Sequence, residues 1–239
     1  MRIGGFQKTS LLDFPGKLSA LIFTQGCNFF CPYCHNPQLV PSYGQEQEGD
    51  VALEAVLAFL RKRKKLLQGV VISGGEATLQ PDLEDFCRAL GQLGYAIKLD
   101  TNGSRPEVLR NLLEQDLLDY VALDVKGDPL LYPKELCSDP QGAAMALVQS
   151  MEALCASSVK YELRIPCAAP FVDAEFLQSV LALPRKQDSP VFLQELRLER
   201  VLRPDFFSGS GRALSAGEIR DLQILGERCG AHCLVRGAG

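Results

Sequence analysis

Six short apolar runs alternate with six longer helical stretches along this chain, and this alternation strongly constrains the fold. The apolar runs predict β-strands at Ser19–Thr24, Gly69–Ile72, Ala96–Leu99, Tyr120–Leu123, Lys160–Ile165 and Val191–Leu196. The other stretches predict α-helices at Val51–Leu67, Pro81–Leu93, Pro106–Gln115, Gly142–Ser157, Ala174–Leu183 and Ala216–Gly226. A chain that repeats strand and helix in this way forms a parallel sheet covered by helices.

The number of repeats predicts an α/β fold that stays open. A closed barrel of this type needs eight strand–helix repeats, so six repeats predict an open partial (β/α)6 barrel. The turn signal Asp13–Gly16, within the segment Ile3–Leu18, predicts a short N-terminal β-hairpin. At 239 residues the chain suits a single domain over residues 1–239.

Charge and cysteine usage exclude several classes of function. A net charge of −4 argues against nonspecific nucleic-acid binding. No apolar run is long enough to span a bilayer, and Met1–Gly5 lacks the apolar segment of a secretory signal. Nine cysteines without an export signal predict a reducing compartment, so we expect a cytoplasmic protein without a membrane or nucleic-acid partner.

Polar and glycine-rich residues follow each predicted strand. They are a cysteine-containing loop, Ser73–Glu76, Asp100–Gly103, Asp124–Lys126, Arg164 and Gln194–Glu195. The carboxyl ends of parallel strands share one edge of the sheet, where α/β proteins build their sites. The sequence therefore predicts one composite site at that edge.

The loop after the first of these strands carries Cys27, Cys31 and Cys34, gathered by Gly, Asn and Pro. Thiolates are soft ligands that select zinc, Cu(I) or iron–sulfur clusters. A structural zinc site would need a fourth ligand, for which His35 is a candidate. A four-iron cluster on three cysteines would instead keep one iron free to bind a small molecule. Three unrelated buried thiols are the plainest alternative.

The CxxxCxxC spacing, with Tyr33 before the last cysteine, resembles the signature of radical S-adenosylmethionine (radical SAM) enzymes. Gly74-Gly75-Glu76 after the second strand resembles the GGE motif of that family, although Ala77 stands where the family usually has Pro. The opening Gly4–Lys17 and the stretch Gly26–Val40 further resemble the anaerobic ribonucleoside-triphosphate reductase activating proteins, which are glycyl radical enzyme activases.

This resemblance implies one 4Fe–4S cluster, held by the three loop cysteines, and bound S-adenosylmethionine. It assigns cofactor contacts to Tyr33, Gly74, Gly75, Glu76, Asp100, Thr101, Asp124, Lys126 and Arg164. It also implies that the Asp100–Gly103 segment can help to hold a monovalent cation. No catalytic residue is expected beyond the cluster and the bound cofactor.

Each of these motifs also has a plainer interpretation. Gly74–Glu76 suits a tight turn, and Asp100–Gly103 suits a turn and a helix cap. Asp124 and Lys126 could be a weak surface ion pair. Arg164 could be a structural partner of Glu162 or Glu195. Two further cysteines, at positions 229 and 233, are spaced to share a helix face and are expected to be inert.

The resemblance also implies the partners. They are a glycyl radical enzyme as protein substrate and a low-potential electron donor such as flavodoxin or ferredoxin. The interval Asn36–Ile72 contains no cysteine, which favours a single cluster over an inserted second cluster module. The alternative within the same chemistry is an enzyme that acts on a small molecule, similar to the carboxydeazaguanine synthases.

Overall fold

The structure is a computed structural model that describes residues 1–40 and 51–237. Its strands are β1 Ile3–Ser10, β2 Ser19–Thr24, β3 Gly69–Gly74, β4 Ala96–Thr101, β5 Tyr120–Asp124, β6 Lys160–Pro166, β7 Ala168–Ala169, β8 Val191–Gln194, β9 Arg212–Ala213 and β10 Cys233–Arg236. Its α-helices are α1 Leu53–Arg63, α2 Leu83–Gln92, α3 Pro106–Glu114, α4 Pro140–Ala156, α5 Ala174–Leu181, α6 Pro204–Gly209 and α7 Ala216–Arg228. Within these ranges, no helix combines the length and apolarity needed to cross a membrane.

Eight strands form one sheet in the order β1-β2-β3-β4-β5-β6-β8-β10. The other seven strands of this sheet run parallel to one another, and β1 pairs antiparallel with β2. Strands β7 and β9 form a separate antiparallel pair. In the described ranges β1 and β10 are the two edges of the sheet, so the barrel stays open. The predicted α/β class and open partial barrel are confirmed.

Three details differ from the sequence-based expectation. The hairpin is made by β1 and β2, so its second strand is also the first parallel strand. The parallel sheet continues past six strand–helix units to β10, which was not predicted. Because Cys229 caps α7 and Cys233 begins β10, the two cysteines do not share a helix face, and that interpretation was wrong.

The helices other than α6 pack on one face of the sheet and form most of the core with it. In α2, the apolar side chains Leu83, Phe86, Cys87 and Leu90 recur at helical spacing and are buried. The strand residues that meet the helices, such as Ile72, are fully buried as well. The large core therefore lies outside the curved sheet, and the opposite, inner face is left for other side chains.

The inner face has an apolar floor at the amino ends of the strands. Phe14, from the turn between β1 and β2, is 2% exposed and clusters with Leu21 and Val71. Its ring lies 6.2 Å from that of Tyr120, and a side chain at Gly69 would collide with it. The turn predicted from Asp13–Gly16 thus closes the bottom of the barrel, while the top remains available for a site.

Candidate active site

The cysteine loop follows β2 at the carboxyl edge of the sheet, as predicted. Cys31 is buried, and Cys27 and Cys34 are partly buried. A backbone hydrogen bond from Cys34 N to Cys31 O (3.0 Å) folds the loop into a turn, and Phe29 N donates to Cys27 Sγ (3.3 Å). The three thiols are all free and come from one compact turn.

Two other segments hold this loop in place. Phe30 N donates to Leu136 O (2.8 Å) in the connection between β5 and α4. Leu202 N, which precedes α6, donates to Cys34 O (3.0 Å). The loop is therefore pinned from both sides by parts of the chain more than 100 residues away.

The environment of the thiols favours protonation until a metal binds. Burial raises the pKa of Cys31 to about 12, which the ammonium group of Lys126 opposes. Burial also raises the pKa of Cys27 and Cys34. Metal binding would release these protons, and Lys126 would stabilise the resulting thiolates.

The candidate metal ligands fit an iron–sulfur cluster better than a single zinc ion. In residues 1–40 and 51–237, no three His, Cys, Asp or Glu side chains are arranged to hold a single metal ion. His35 Nε2 lies 2.6 Å from the carbonyl oxygen of Arg197. That contact engages the side chain that zinc would need as its fourth ligand. Three soft thiols in one loop fit an iron–sulfur cluster, in which each thiolate binds a different iron.

The glycine turn after β3 touches the cysteine loop directly. Gly74 has φ +120°, a conformation that disfavours side chains. A Cβ atom at Gly75 would lie 2.0 Å from Gly26 O, and Glu76 N donates to the same oxygen (2.8 Å). Glycine is thus required here by the close approach of the two loops, independently of any cofactor contact.

Glu76 joins this turn to the loop after β4. Its buried carboxylate accepts hydrogen bonds from Thr101 Oγ1 (2.7 Å) and Asn102 N (2.7 Å), and also from Thr78 N (3.0 Å). Burial raises the pKa of Glu76, and these donors oppose the increase. Glu76 and Thr101, both predicted cofactor contacts, therefore bind each other in the structure.

Amide side chains extend the connection to the cysteine loop. Asn102 Nδ2 donates to Asn28 Oδ1 (3.1 Å), and Asn28 Nδ2 donates to Ser104 Oγ (2.8 Å). Sequence reasoning did not assign Asn28 a role. The loops after β2, β3 and β4 consequently form one hydrogen-bonded unit.

A chain of alternating charges crosses the inner face above the apolar floor. Arg164 Nε donates to Asp124 Oδ1 (2.6 Å), and Arg164 Nη1 donates to Asp100 Oδ2 (3.1 Å). Lys126 Nζ donates to the other oxygen of Asp124 (3.0 Å), and Lys98 pairs with the other oxygen of Asp100. Each carboxylate therefore lies between two cations.

This arrangement controls the charge of the two aspartates. Burial alone would raise the pKa of Asp100, but Arg164 and Lys98 outweigh it and lower the pKa to about 2. Arg164 and Lys126 likewise overcome burial at Asp124 and lower its pKa. The network is partly or fully buried, so the interpretation of Asp124 and Lys126 as a weak surface pair does not describe it.

Comparison with known proteins identifies the family. The family model described as the radical SAM superfamily matches residues 21–161, more than half of the chain. The chain belongs to the radical SAM superfamily. Membership implies a 4Fe–4S cluster and S-adenosylmethionine as cofactors.

Relatives of this radical SAM protein carry activase names. A protein from Methanocaldococcus jannaschii named as a glycyl-radical enzyme activating enzyme is 40% identical over 128 residues, 52% of this chain and 50% of the relative. One from Haemophilus influenzae with the same name is 27% identical over 234 residues, 90% of this chain and 88% of the relative. The pyruvate formate-lyase 1-activating enzyme of Escherichia coli is 35% identical over 130 residues, 52% of each chain. The matched region thus spans about half the length of the first and third of these relatives.

Solved structures agree on the fold. QueE from Escherichia coli superposes with a TM-score of 0.57 at 17% identity, over 98% of this chain and 93% of that chain. TYW1 with a lysine-pyruvate adduct superposes with a TM-score of 0.55 at 14% identity, over 87% and 73%. At such low identity these likenesses concern the fold alone.

Tyr33 of this radical SAM protein is buried rather than displayed to solvent. It is 4% exposed, its ring meets Phe171 edge-to-face at 5.7 Å, and its hydroxyl lies 3.5 Å from Lys126 O. Phe171 in turn stacks on Phe206 (5.5 Å). An aromatic row therefore covers the cysteine loop on the side of α6, and the cofactor contact predicted for Tyr33 stays a prediction.

Another ion pair, separate from the chain of alternating charges, lies on the inner face of the radical SAM fold. Glu162, 1% exposed, binds both terminal nitrogens of Arg236 (3.1 and 3.3 Å) and accepts a hydrogen bond from Tyr120 (3.1 Å). The guanidinium of Arg236 stacks on Phe192 at 3.7 Å. Glu162 thus pairs with Arg236 in β10, and the partners of Arg164 are Asp100 and Asp124 instead of the two glutamates considered above.

Several residues of this region were not found by sequence reasoning. They are Asn28, Lys98, Tyr132, Glu162 as an inner-face anion, and Arg236. Lys98 did carry a signal, because it lies between Ile97 and Leu99 in an otherwise apolar strand yet is 2% exposed. A lysine at such a position requires a buried partner.

Proposed function

We propose that this protein is a glycyl radical enzyme activating enzyme. It would reductively cleave S-adenosylmethionine and install a glycyl radical on a partner enzyme, which we take to be anaerobic ribonucleoside-triphosphate reductase. The observation that carries the proposal is the Haemophilus influenzae relative of that name, which aligns over 90% of this chain and 88% of its own.

The loop cysteines would hold the cluster. Cys27, Cys31 and Cys34 would each bind one iron and leave the fourth iron for the nucleotide. When bound, the 4Fe–4S cluster and S-adenosylmethionine supply a 5′-deoxyadenosyl radical by one-electron cleavage of the sulfonium. Lys126 would balance the negative charge of the thiolates, because it already favours ionisation of Cys31 and Cys34.

The residues around the loop would bind and orient the nucleotide. The proposed set is Tyr33, Gly74, Gly75, Glu76, Asp100, Thr101, Asp124, Lys126 and Arg164. Two aspartates hold the guanidinium of Arg164 in one orientation. This would preorganise the guanidinium to bind the carboxylate of S-adenosylmethionine. The hydrogen bonds among the loops after β2, β3 and β4 would keep the glycine turn next to the cluster.

The remaining expectations concern the surroundings of this site. Lys98 and Arg164 already neutralise Asp100, so any monovalent cation there would compete with cations of the protein itself. We propose a flavodoxin or ferredoxin as the electron donor. We also propose that the protein is located in the cytoplasm. We treat residues 1–239 as a single domain, without a nucleic-acid or membrane partner. The gap between β1 and β10 suits a macromolecular substrate, because a loop of another protein can enter there.

The proposal is tested with protein reconstituted anaerobically with iron and sulfide. Four irons per chain and release of 5′-deoxyadenosine after addition of dithionite and S-adenosylmethionine are expected. One tightly held zinc, or no nucleoside release, would refute radical SAM chemistry. The activated protein is then mixed with anaerobic ribonucleoside-triphosphate reductase, with a variant reductase lacking the radical glycine as control.

The outcome with the reductase separates the two functions. A doublet electron-spin signal on the reductase, absent from its glycine variant, supports activation of that enzyme. Nucleoside release without any protein radical refutes this client. If other glycyl radical enzymes also fail, the result favours a small-molecule substrate of the carboxydeazaguanine synthase kind.

A further inference from the structure

The hydroxyl group of Tyr132 is buried without a hydrogen-bond partner. Tyr132 lies in the connection between β5 and α4 and is 4% exposed, yet no polar group meets its Oη with hydrogen-bond geometry. A buried hydroxyl is costly without a hydrogen bond, and such an atom often marks the place where a ligand or cofactor binds. The side chain was not among the predicted site residues.

Tyr132 packs against the cysteine loop. Its ring meets Phe29 edge-to-face at 5.7 Å, and Phe29 forms an antiparallel bridge with Cys137. A Cβ atom at Gly127 would lie 3.0 Å from the Tyr132 ring, so the ring rests on the backbone of Gly127. These contacts leave the ring little freedom to turn away.

The charges near the hydroxyl agree with this location. Burial raises the pKa of Tyr132, and Cys31, Cys137 and Asp124 raise it further, while the nearby backbone N–H of Lys126, a donor that cannot accept the hydroxyl proton, lowers it. Tyr132 therefore stays a neutral donor, and after burial Cys31 contributes most to this shift. A neutral hydroxyl close to the cysteine loop can donate a hydrogen bond to a sulfur atom of a cluster bound there.

We propose that Tyr132 donates a hydrogen bond to the sulfur atoms at Cys31 and thereby raises the reduction potential of the cluster. The acceptor is the cysteinyl Sγ or a sulfide on the same iron. Hydrogen bonds to cluster sulfurs tune the potential, because they stabilise the more negative, reduced form. Tyr132 would be a positioning and tuning residue, and this inference rests on the cluster assigned under the proposed function.

The test compares Tyr132→Phe with wild type, both reconstituted and without S-adenosylmethionine. Dithionite donates one electron to each oxidised cluster, and the fraction reduced is followed by the electron-spin signal at a series of fixed potentials. A hydrogen bond of ordinary strength changes an equilibrium constant about three- to tenfold. We therefore expect the reduced-to-oxidised ratio of the variant to fall about three- to tenfold, where tenfold corresponds to about 59 mV for one electron.

The apoprotein provides an independent readout. If the hydroxyl has no partner without the cluster, Tyr132→Phe leaves the urea midpoint of the apoprotein unchanged or raises it. The matched control is Tyr95→Phe, which removes a buried hydroxyl that donates to Leu60 O at 2.7 Å. That variant should lower the apoprotein midpoint and leave the cluster potential unchanged.

Two results would overturn the inference. One is a reduced-to-oxidised ratio within twofold of wild type, or above it. The other is an apoprotein midpoint that falls as in Tyr95→Phe, because the hydroxyl would then have another partner. Wild-type protein that binds no iron and sulfide would instead refute the proposed function itself.

Discussion

Removing Lys98 should unbalance the charge chain of the inner face. Lys98→Met takes one of two cations from Asp100, and Asp100→Asn leaves Lys98 and Arg164 as neighbouring buried cations. Removing one member of a buried ion pair typically costs about 3–5 kcal/mol of unfolding free energy. We expect each single substitution to lower the unfolding free energy by an amount in this range.

The double variant should recover part of that loss. With both groups gone, neither buried charge lacks its partner, so we expect a coupling free energy of about 2–3 kcal/mol. The pKa of Asp100 gives a similar magnitude. Lowering it from 3.8 to about 2 stabilises the folded protein by about 2.5 kcal/mol at neutral pH, since one pKa unit corresponds to about 1.36 kcal/mol.

The sign of the pH dependence follows from the lowered pKa. Asp100 contributes its full stabilisation above its unfolded pKa, near pH 4, and loses it as the pH falls towards 2. The assay is urea unfolding of reduced apoprotein at several pH values. The difference in stability between wild type and Asp100→Asn should narrow between pH 5 and pH 2.

One control variant and two possible outcomes test the coupling between Lys98 and Asp100 and the lowered pKa of Asp100. Arg105→Met removes a half-exposed partner of Glu107 (3.5 Å) and should change stability far less. Additive effects of the two inner-face substitutions would refute the coupling. A difference between wild type and Asp100→Asn that stays constant down to pH 2 would refute the assignment of the lowered pKa.

Three further predictions concern the site and its supports. Replacing any one loop cysteine by Ala should lower the cluster content, which iron and sulfide analysis measures. Cys229→Ser changes an exposed cysteine and should leave the cluster content unchanged. Equal cluster content in all variants would contradict the assignment of the ligands. Glu76→Gln should lower the unfolding free energy, measured by urea denaturation, by about 2–3 kcal/mol. The reason is that an amide cannot replace all the hydrogen bonds that the buried carboxylate accepts, such as the one from Asn102 N. An unchanged urea midpoint would contradict this prediction. Ala77→Pro should raise the unfolding free energy by about 0.4–1 kcal/mol. Ala77 is the first residue of a 3-10 helix, where Pro is tolerated, and Pro restricts the unfolded chain. A lower thermal midpoint would contradict this prediction, because it would show that the proline ring does not fit.

The strands that the sequence revealed are those buried on the helical face. Each carries a run of β-branched or large apolar residues long enough to be recognised, as in Gly69–Gly74. The last strand, Cys233–Arg236, has one buried, two partly exposed and one exposed residue, so it lacks such an apolar run. Its position beside β8 is decided by tertiary pairing, which local sequence does not encode.

The location of the site was predictable, and its pairings were not. Parallel topology alone brings the ends of the strands to one edge, so the cysteine loop, the glycine turn and Asp100 had to be neighbours. The partner of Arg164 depends on strand register, which sets Asp124 directly beside it. Register and side-chain direction are properties of the assembled sheet, and for this reason Glu162 and Glu195 were wrongly considered as partners of Arg164.

Among the described residues, Phe14 and its apolar neighbours fill the amino end of the barrel interior. The nucleotide and a loop of a partner enzyme would therefore reach the cysteines only from the opposite end or through the gap between β1 and β10. Because both would meet over the same three cysteines, the order in which they arrive and depart would influence the rate of turnover.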